Sequence, residues 1–147
     1  MTIQSGIDWS AIPVKVGVTA DPAAGSPAAD ITVPMGKRWL LLGIRTRIAC
    51  DATVANRYCN IFVMPDGTTT FIRVSPGVAV AASQTATVWC ARMQSAQYNE
   101  SSGGWTYVAN GIESDVPAGG IVRVQWTNLQ AGDNIEAVSY IYKEAPA

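Results

Sequence analysis

Apolar and polar residues alternate with a period of two through much of the chain, and the longest such run organises the rest. From Leu40 the even positions read Leu40, Leu42, Ile44, Thr46, Ile48 and Cys50, while the odd positions read Trp39, Leu41, Gly43, Arg45 and Arg47. Successive side chains of a strand point to opposite faces, so this pattern predicts a half-buried β-strand with its arginines outward. A helix would instead gather Leu40, Ile44, Arg47 and Ile48 on one stripe around Gly43, at a cost in β-branched rotamer freedom. Pro34 and Gly36 mark a turn before the strand, because proline fixes φ and glycine accepts positive φ. After a connection over residues 51–56, Arg57 to Met64 is expected to return as the second arm of a hairpin. Both of its faces are largely apolar, which predicts a central place in a sheet.

The same reading extends along the chain. Val14 to Thr19 predicts a short strand with Val14, Val16 and Val18 on one side, and Ile31 to Val33 a short edge piece. Pro65-Asp66-Gly67 is a turn signal, followed by expected strands over Thr68 to Val74 and Ser83 to Ala91. Trp105 to Val108, Ile121 to Trp126 and Ile135 to Tyr142 read as further strands, and Val116-Pro117-Ala118-Gly119 repeats the earlier Val33-Pro34-Met35-Gly36. Residues 92–104 form the least regular stretch. Many short strands with frequent turn signals and no convincing helix predict an all-β fold: a single antiparallel β-sandwich or jelly-roll-like domain over residues 14–143. Residues 1–13 are expected to be an N-terminal arm and residues 144–147 a short, frayed tail.

Composition narrows the function classes. The chain has 147 residues, 14% of them charged, and a formal net charge of -1, against a typical charged share of ~25%. Scattered basic residues and a near-neutral balance argue against direct nucleic-acid binding. No apolar run is long enough to cross a bilayer as a helix, and no secretory signal is recognisable, so synthesis in a cytosol is expected and no membrane partner. Three cysteines, Cys50, Cys59 and Cys90, suit small buried hydrophobes in a reducing compartment. With no histidine the usual zinc sets and the commonest general base are missing. No metal, cofactor or catalytic site is expected, and the chain is read as non-enzymatic. Glu113 and Glu136 are carboxylates of the kind a glycosidase needs, without a motif around them. Asp66, Asp115 and Asp133 sit in turn-like sequence, where aspartate caps its own backbone.

The candidate contact residues fall into three groups. Ile3, Ile7, Trp9 and Ile12 would be costly to leave in water and mark the arm as a segment that docks, either on its own domain or on a neighbour. Tyr98, Trp105 and Tyr107 lie in or beside the irregular stretch and could form a loop interface or stack on a sugar. Arg45 and Arg47 give a charged outer face that would suit an acidic partner. Trp89 and Trp126 alternate with strand neighbours and read as core.

Residues 33–63 (VPMGKRWLLLGIRTRIACDATVANRYCNIFV), with the later VPAGGIVRV and the C-terminal DNIEAVSYIYKE, resemble a group of small virion proteins of tailed bacteriophages. These show a VPAGKRW-type turn and strand, a TATVGNR-type loop, a DG turn, a SQT-type strand start and a late PAGDxIRV strand. Here they correspond to Val33 to Trp39, Ala52 to Arg57, Asp66-Gly67, Ser83 to Thr85 and Pro117 to Val124, with Ala55 where glycine is usual and Gly120 in place of the acidic residue. The resemblance implies a capsid cement or decoration protein on the outer surface of the virion, commonly a homotrimer, that bridges major capsid proteins. It would place the arm on the capsid or an adjacent subunit. The rival expectation is a head-fibre or tail component of the same fold that recognises surface glycan through the loop aromatics.

Overall fold

The thirteen residues Lys37–Ala49 form one strand, β3, paired along both sides, and the larger of two sheets is built around it. The computed structural model describes residues 6–23, 25–77, 79–91, 97–99, 105–109 and 112–147, with only the backbone described at 97–99, 105 and 107–109. Besides β3 the strands are β1 (Lys15–Val18), β2 (Ala28–Thr32), β4 (Tyr58–Met64), β5 (Ile72–Val74), β6 (Thr85–Ala91), β7 (Gln97–Asn99), β8 (Trp105–Ala109), β9 (Ser114–Val116), β10 (Ile121–Thr127), β11 (Asn134–Ile135) and β12 (Ser139–Pro146). The larger sheet runs β1-β12-β3-β6-β8-β7, with β9 and β11 also pairing to β3; the smaller runs β2-β10-β4-β5. The pairings are antiparallel except β6 with β8, which run parallel. The chain is thus an all-β, sandwich-like single domain.

The alternation in β3 changes phase once, at Leu42, where the register to β12 slips by one residue (Ile141 with Gly43, Tyr142 with Leu41), so the single even-numbered face expected from the sequence is corrected and Leu40 and Leu42 turn to the outer side. Trp39, Leu41, Ile44 and Ile48 enter the main core with Ile61 and Val63 of β4 and Val122, Val124 and Trp126 of β10. The Trp126 indole N–H donates to Thr46 Oγ1 (3.1 Å) across the core, so a buried polar pair is satisfied between the two sheets. β4 lies between β10 and β5, the expected central place.

β3 and β4 do not form the expected hairpin, because they belong to opposite sheets. The connection between them is drawn across by a buried ion cluster rather than closed by a ladder. Arg57, just before β4, donates through Nε and Nη2 to both carboxylate oxygens of Asp133 (2.8 Å each), and through Nη2 to Asp51 (2.8 Å). Its Nη1 donates to the carbonyls of Thr53 and Ala55 (3.0 and 2.7 Å). The connection wraps this guanidinium and carries the chain from the larger sheet to the smaller one. All three cysteines are free, with Cys59 and Cys90 in the core.

The two V-P-x-G segments form equivalent turns that lie back to back. Lys37 N donates to the Pro34 carbonyl and Gly120 N to the Pro117 carbonyl, with Gly36 and Gly119 at φ 74° and 77°. Glycine is required at that third position because an L side chain is strained there. Val33 N then donates to Gly120 O (2.9 Å) and Gly119 N to Val33 O (3.0 Å), so one turn opens β3 and the other opens β10 at the same end of the molecule. A Cβ at Gly120 would lie 2.6 Å from Val116 Cγ1 and 3.1 Å from the Pro65 carbonyl oxygen, which accounts for glycine where the phage pattern has an acid.

Three further expectations are corrected. Residues 144–146 are not a frayed tail but the end of β12, paired to Trp39, Arg38 and Lys37 of β3, and Ala147 N donates to Gly36 O (3.0 Å). The strand expected over Thr68 to Val74 shortens to β5, since Asp66 Oδ1 accepts from the amides of Thr68 and Thr69 and holds them in a turn. Part of the stretch read as irregular, 97–99, is strand β7, antiparallel to β8.

Candidate interaction surface

The arm folds back onto its own domain. Asp8 accepts from Ser10 N (3.0 Å) and caps a single 3-10 turn, Trp9–Ala11, which brings Ile7, Trp9 and Ile12 to one side. Trp9 is buried with Leu40 and Ala145, and Ile7, Ile12 and Leu42 pack around them. This small second cluster covers one end of the outer face of the larger sheet. Lys143 Nζ fastens it by donating to the Trp9 carbonyl (2.5 Å). Of the four arm residues singled out, Ile7, Trp9 and Ile12 therefore contact their own chain, and Ile3 lies outside the described residues.

Beside the arm, the outer face continues in rows set by the strand register. Val16 of β1 neighbours Ile141 of β12, which neighbours Gly43 of β3 and then Ala91 of β6; the next row is Val18, Ser139, Arg45 and Trp89. Trp89 is thus on the outer face and not in the core, with the Arg45 guanidinium carbon 5.8 Å from its ring centroid. Arg47, in the row beyond, donates to Glu136 (2.5 Å). Arg45 and Arg47 do share the outer face, but one is stacked and the other neutralised, and Glu136 is engaged as an ion-pair partner. Tyr98, Trp105 and Tyr107 lie on β7 and β8 at the far edge of the same sheet, and their side chains are outside the described part.

Most charge on this molecule is spent in pairs. Arg123 makes a two-point contact with Asp30 (2.7 Å each), Arg38 Nε donates to Asp115 (2.6 Å), and Glu144 accepts from Lys15 Nζ (2.9 Å) and Trp39 Nε1 (3.0 Å). The Lys15 bond, and then that from Trp39, holds the Glu144 carboxyl below its usual range. A shallow hollow of about 250 Å³ on the smaller sheet is lined by Phe62, Met64, Thr68, Thr70, Arg123 and Gln125. Arg73 lies over the Phe62 ring (5.8 Å) and donates to Asn60, and Arg123 is held by Asp30, which leaves that hollow little to offer a charged ligand. Among the described residues no group of three or more Asp, Glu, Cys or His side chains could hold a metal ion.

Against this charge-paired background, and apart from Val54 (93% exposed) in the connection before β4 and Tyr58 at the start of β4, large apolar side chains stand exposed in two groups. One is β1 and the residue before it, where Val14, Val16 and Val18 are 54, 70 and 61% exposed. The other is the end that carries the paired turns, where Met35 is 82% and Phe71 77% exposed. Sequence reasoning grouped the three valines on one side but gave no sign that this side faces outward, because alternation alone does not say which face is covered. Met35 and Phe71 had no periodic signal at all, one lying in a turn and the other just before a strand.

No protein-family model matches the chain, and no curated protein matches it in sequence. The functional reading therefore rests on the surface just described and on the phage-like motifs.

Proposed function

We propose that this chain is a structural component of a tailed-phage virion, a decoration or cement subunit that seats on the outer capsid and bridges neighbouring major capsid proteins. The observation that carries the reading is the turn-bearing end, where Met35 and Phe71 project from loops stiffened by two hydrogen-bonded V-P-x-G turns and the capped Asp66 turn. Exposed apolar side chains on a rigid frame lose little conformational freedom on docking and suit a partner surface of fixed shape. A surface whose charges are already paired suits repeated contacts that do not depend on salt. Each seat need bury only ~800 Å² per partner, since repetition over a shell multiplies modest contacts.

The test mixes purified protein with emptied heads of the phage that encodes it and measures saturable co-sedimentation and the temperature at which heads rupture. Expected are a fixed ratio of subunits to capsid protein, a raised rupture temperature, and roughly tenfold or greater weakening by Met35→Glu or Phe71→Glu without loss of thermal stability. Absence of head binding, or retention on host surface glycan instead, would overturn the reading and favour a glycan-recognising fibre or tail component.

A further inference from the structure

Edge strands are normally protected, and among the described residues three of the four sheet edges are short or charged. β5 and β7 have three residues each, and β2 carries Asp30 in its ion pair with Arg123. β1 is different. It pairs with β12 on one side only, and no described strand lies on the other. Its lysine does not guard the edge, because Lys15 is turned to Glu144 of its own chain. A strand that exposes unpaired backbone groups beside a row of valines is a template for another strand.

The direction of those backbone groups follows from the register. Thr19 N donates to the carbonyl of Val138 (2.9 Å), the residue just before β12, and the pairs Gly17 with Tyr140 and Lys15 with Tyr142 continue the same series. Successive residues of a strand present their amide and carbonyl to opposite sides, so Val14, Val16 and Val18 present theirs to the free side. The same three side chains lie on the outer face, in line with Ile141, away from the Tyr140 ring that fills the space above Gly17.

We propose that β1 is a self-pairing edge: two copies of this chain join β1 to β1 antiparallel about a two-fold axis at Val16, merging their larger sheets into one. The sequence of the edge reads the same in both directions where it matters, Val14-x-Val16-x-Val18. With Val16 opposite its own copy, Val14 meets Val18 of the second copy, and all three positions are hydrogen-bonding pairs of the ladder. The intervening positions set Lys15 opposite Gly17, so no like charges meet and the Lys15–Glu144 bond survives. A seam that is self-complementary in hydrogen bonds, side chains and charge closes after two copies. It thus specifies a pair instead of the trimer implied by the phage resemblance. The inference stands independently of the virion role, since it is read from mass in solution, whereas that role is read on heads with variants that leave β1 unchanged.

The experiment measures the mass of the full chain by light scattering and sedimentation equilibrium over a concentration series, with Val16→Lys, Val16→Glu and their equimolar mixture. Val16 is 70% exposed and its amide faces away from β12, so both variants should keep the wild-type circular dichroism and lose only the part of the melting temperature that rises with protein concentration. Expected are a two-chain mass for the wild type, association weakened roughly tenfold or more towards monomer in each variant alone, and recovery of a two-chain species on mixing, as opposite charges then face each other at the axis. A wild type that stays monomeric, a three-chain mass, an oligomer indifferent to both variants, or a mixture that fails to re-associate would each overturn the proposal.

Discussion

Arg57 makes five hydrogen bonds through its guanidinium that tie the connection before β4 to the turn at Asp133. It is fully buried, yet its guanidinium is matched by both oxygens of Asp133, one of Asp51 and two backbone carbonyls. Asp133 is equally committed, accepting also from Asp51 N (2.9 Å) and Gln130 N (2.8 Å). Removing one partner strands a buried charge, so Arg57→Met and Asp133→Ala should each cost about 3–5 kcal/mol. Arg57→Lys should recover little, because an ammonium cannot span two carboxylate oxygens and two carbonyls at once. Urea titration of the single and double variants is the check, and the double variant should lose less than the two singles together, since both remove one shared interaction. The sequence suggests only part of this. Asp66 is legible as a turn cap, and it caps Thr68 and Thr69. Asp133 reads the same way, and Arg57 as one of several strand arginines, because their partnership spans 76 positions and leaves no local trace.

At the scale of elements, period two identified β3, β4, β6, β10 and the first half of β12, since each must bury one face or both. It could not assign them to sheets. Alternation is the same whether the next strand pairs alongside or crosses to the opposite layer, and β3 and β4 are separated by a cluster that only the fold assembles. The end of β12 was missed for a different reason. Glu144-Ala145-Pro146 has no apolar alternation, and it is held by partners distant in sequence: Glu144 by Lys15 and Trp39, Ala145 against Trp9 and Leu40. Truncation after Lys143 should therefore destabilise the domain by about 1–3 kcal/mol through lost ladder bonds, an unpaired Trp39 indole and an opened arm cluster. At about 2–4 °C per kcal/mol for a chain of this size, differential scanning calorimetry would record a fall of several degrees. A frayed tail would leave the melting temperature unchanged.

At the scale of the whole molecule, the ionisable groups make stability a plateau with two edges. Burial works to raise the Asp133 pKa, but the Arg57 guanidinium with the Gln130 and Asp51 amides outweighs it and holds that carboxyl below its usual range. Glu144 is lowered by Lys15 and Trp39, and Asp66 by its bonds from Thr69 and Thr68. For a carboxyl depressed in the folded state, the stability is complete above its unfolded pKa, near ~4, and drains away as pH falls through the folded value. The thiols set the other edge. Burial pushes Cys50 up to about 11, Cys90 up to about 12 and Cys59 well above its ordinary value. A folded pKa raised in this sense gives stability that is whole below the unfolded value, ~8.5, and is lost as pH rises beyond it, at about 1.4 kcal/mol per pH unit for each thiol. With no histidine to titrate in between, urea midpoints under reducing conditions should be nearly constant from about pH 5 to pH 8 and fall on both sides. Replacing Cys59 and Cys90 by Ala should lower the plateau through cavity formation while flattening the alkaline fall, because the unfolded chain then has fewer thiols to ionise. An alkaline fall of undiminished slope in that double variant would show that the buried thiols do not set this edge.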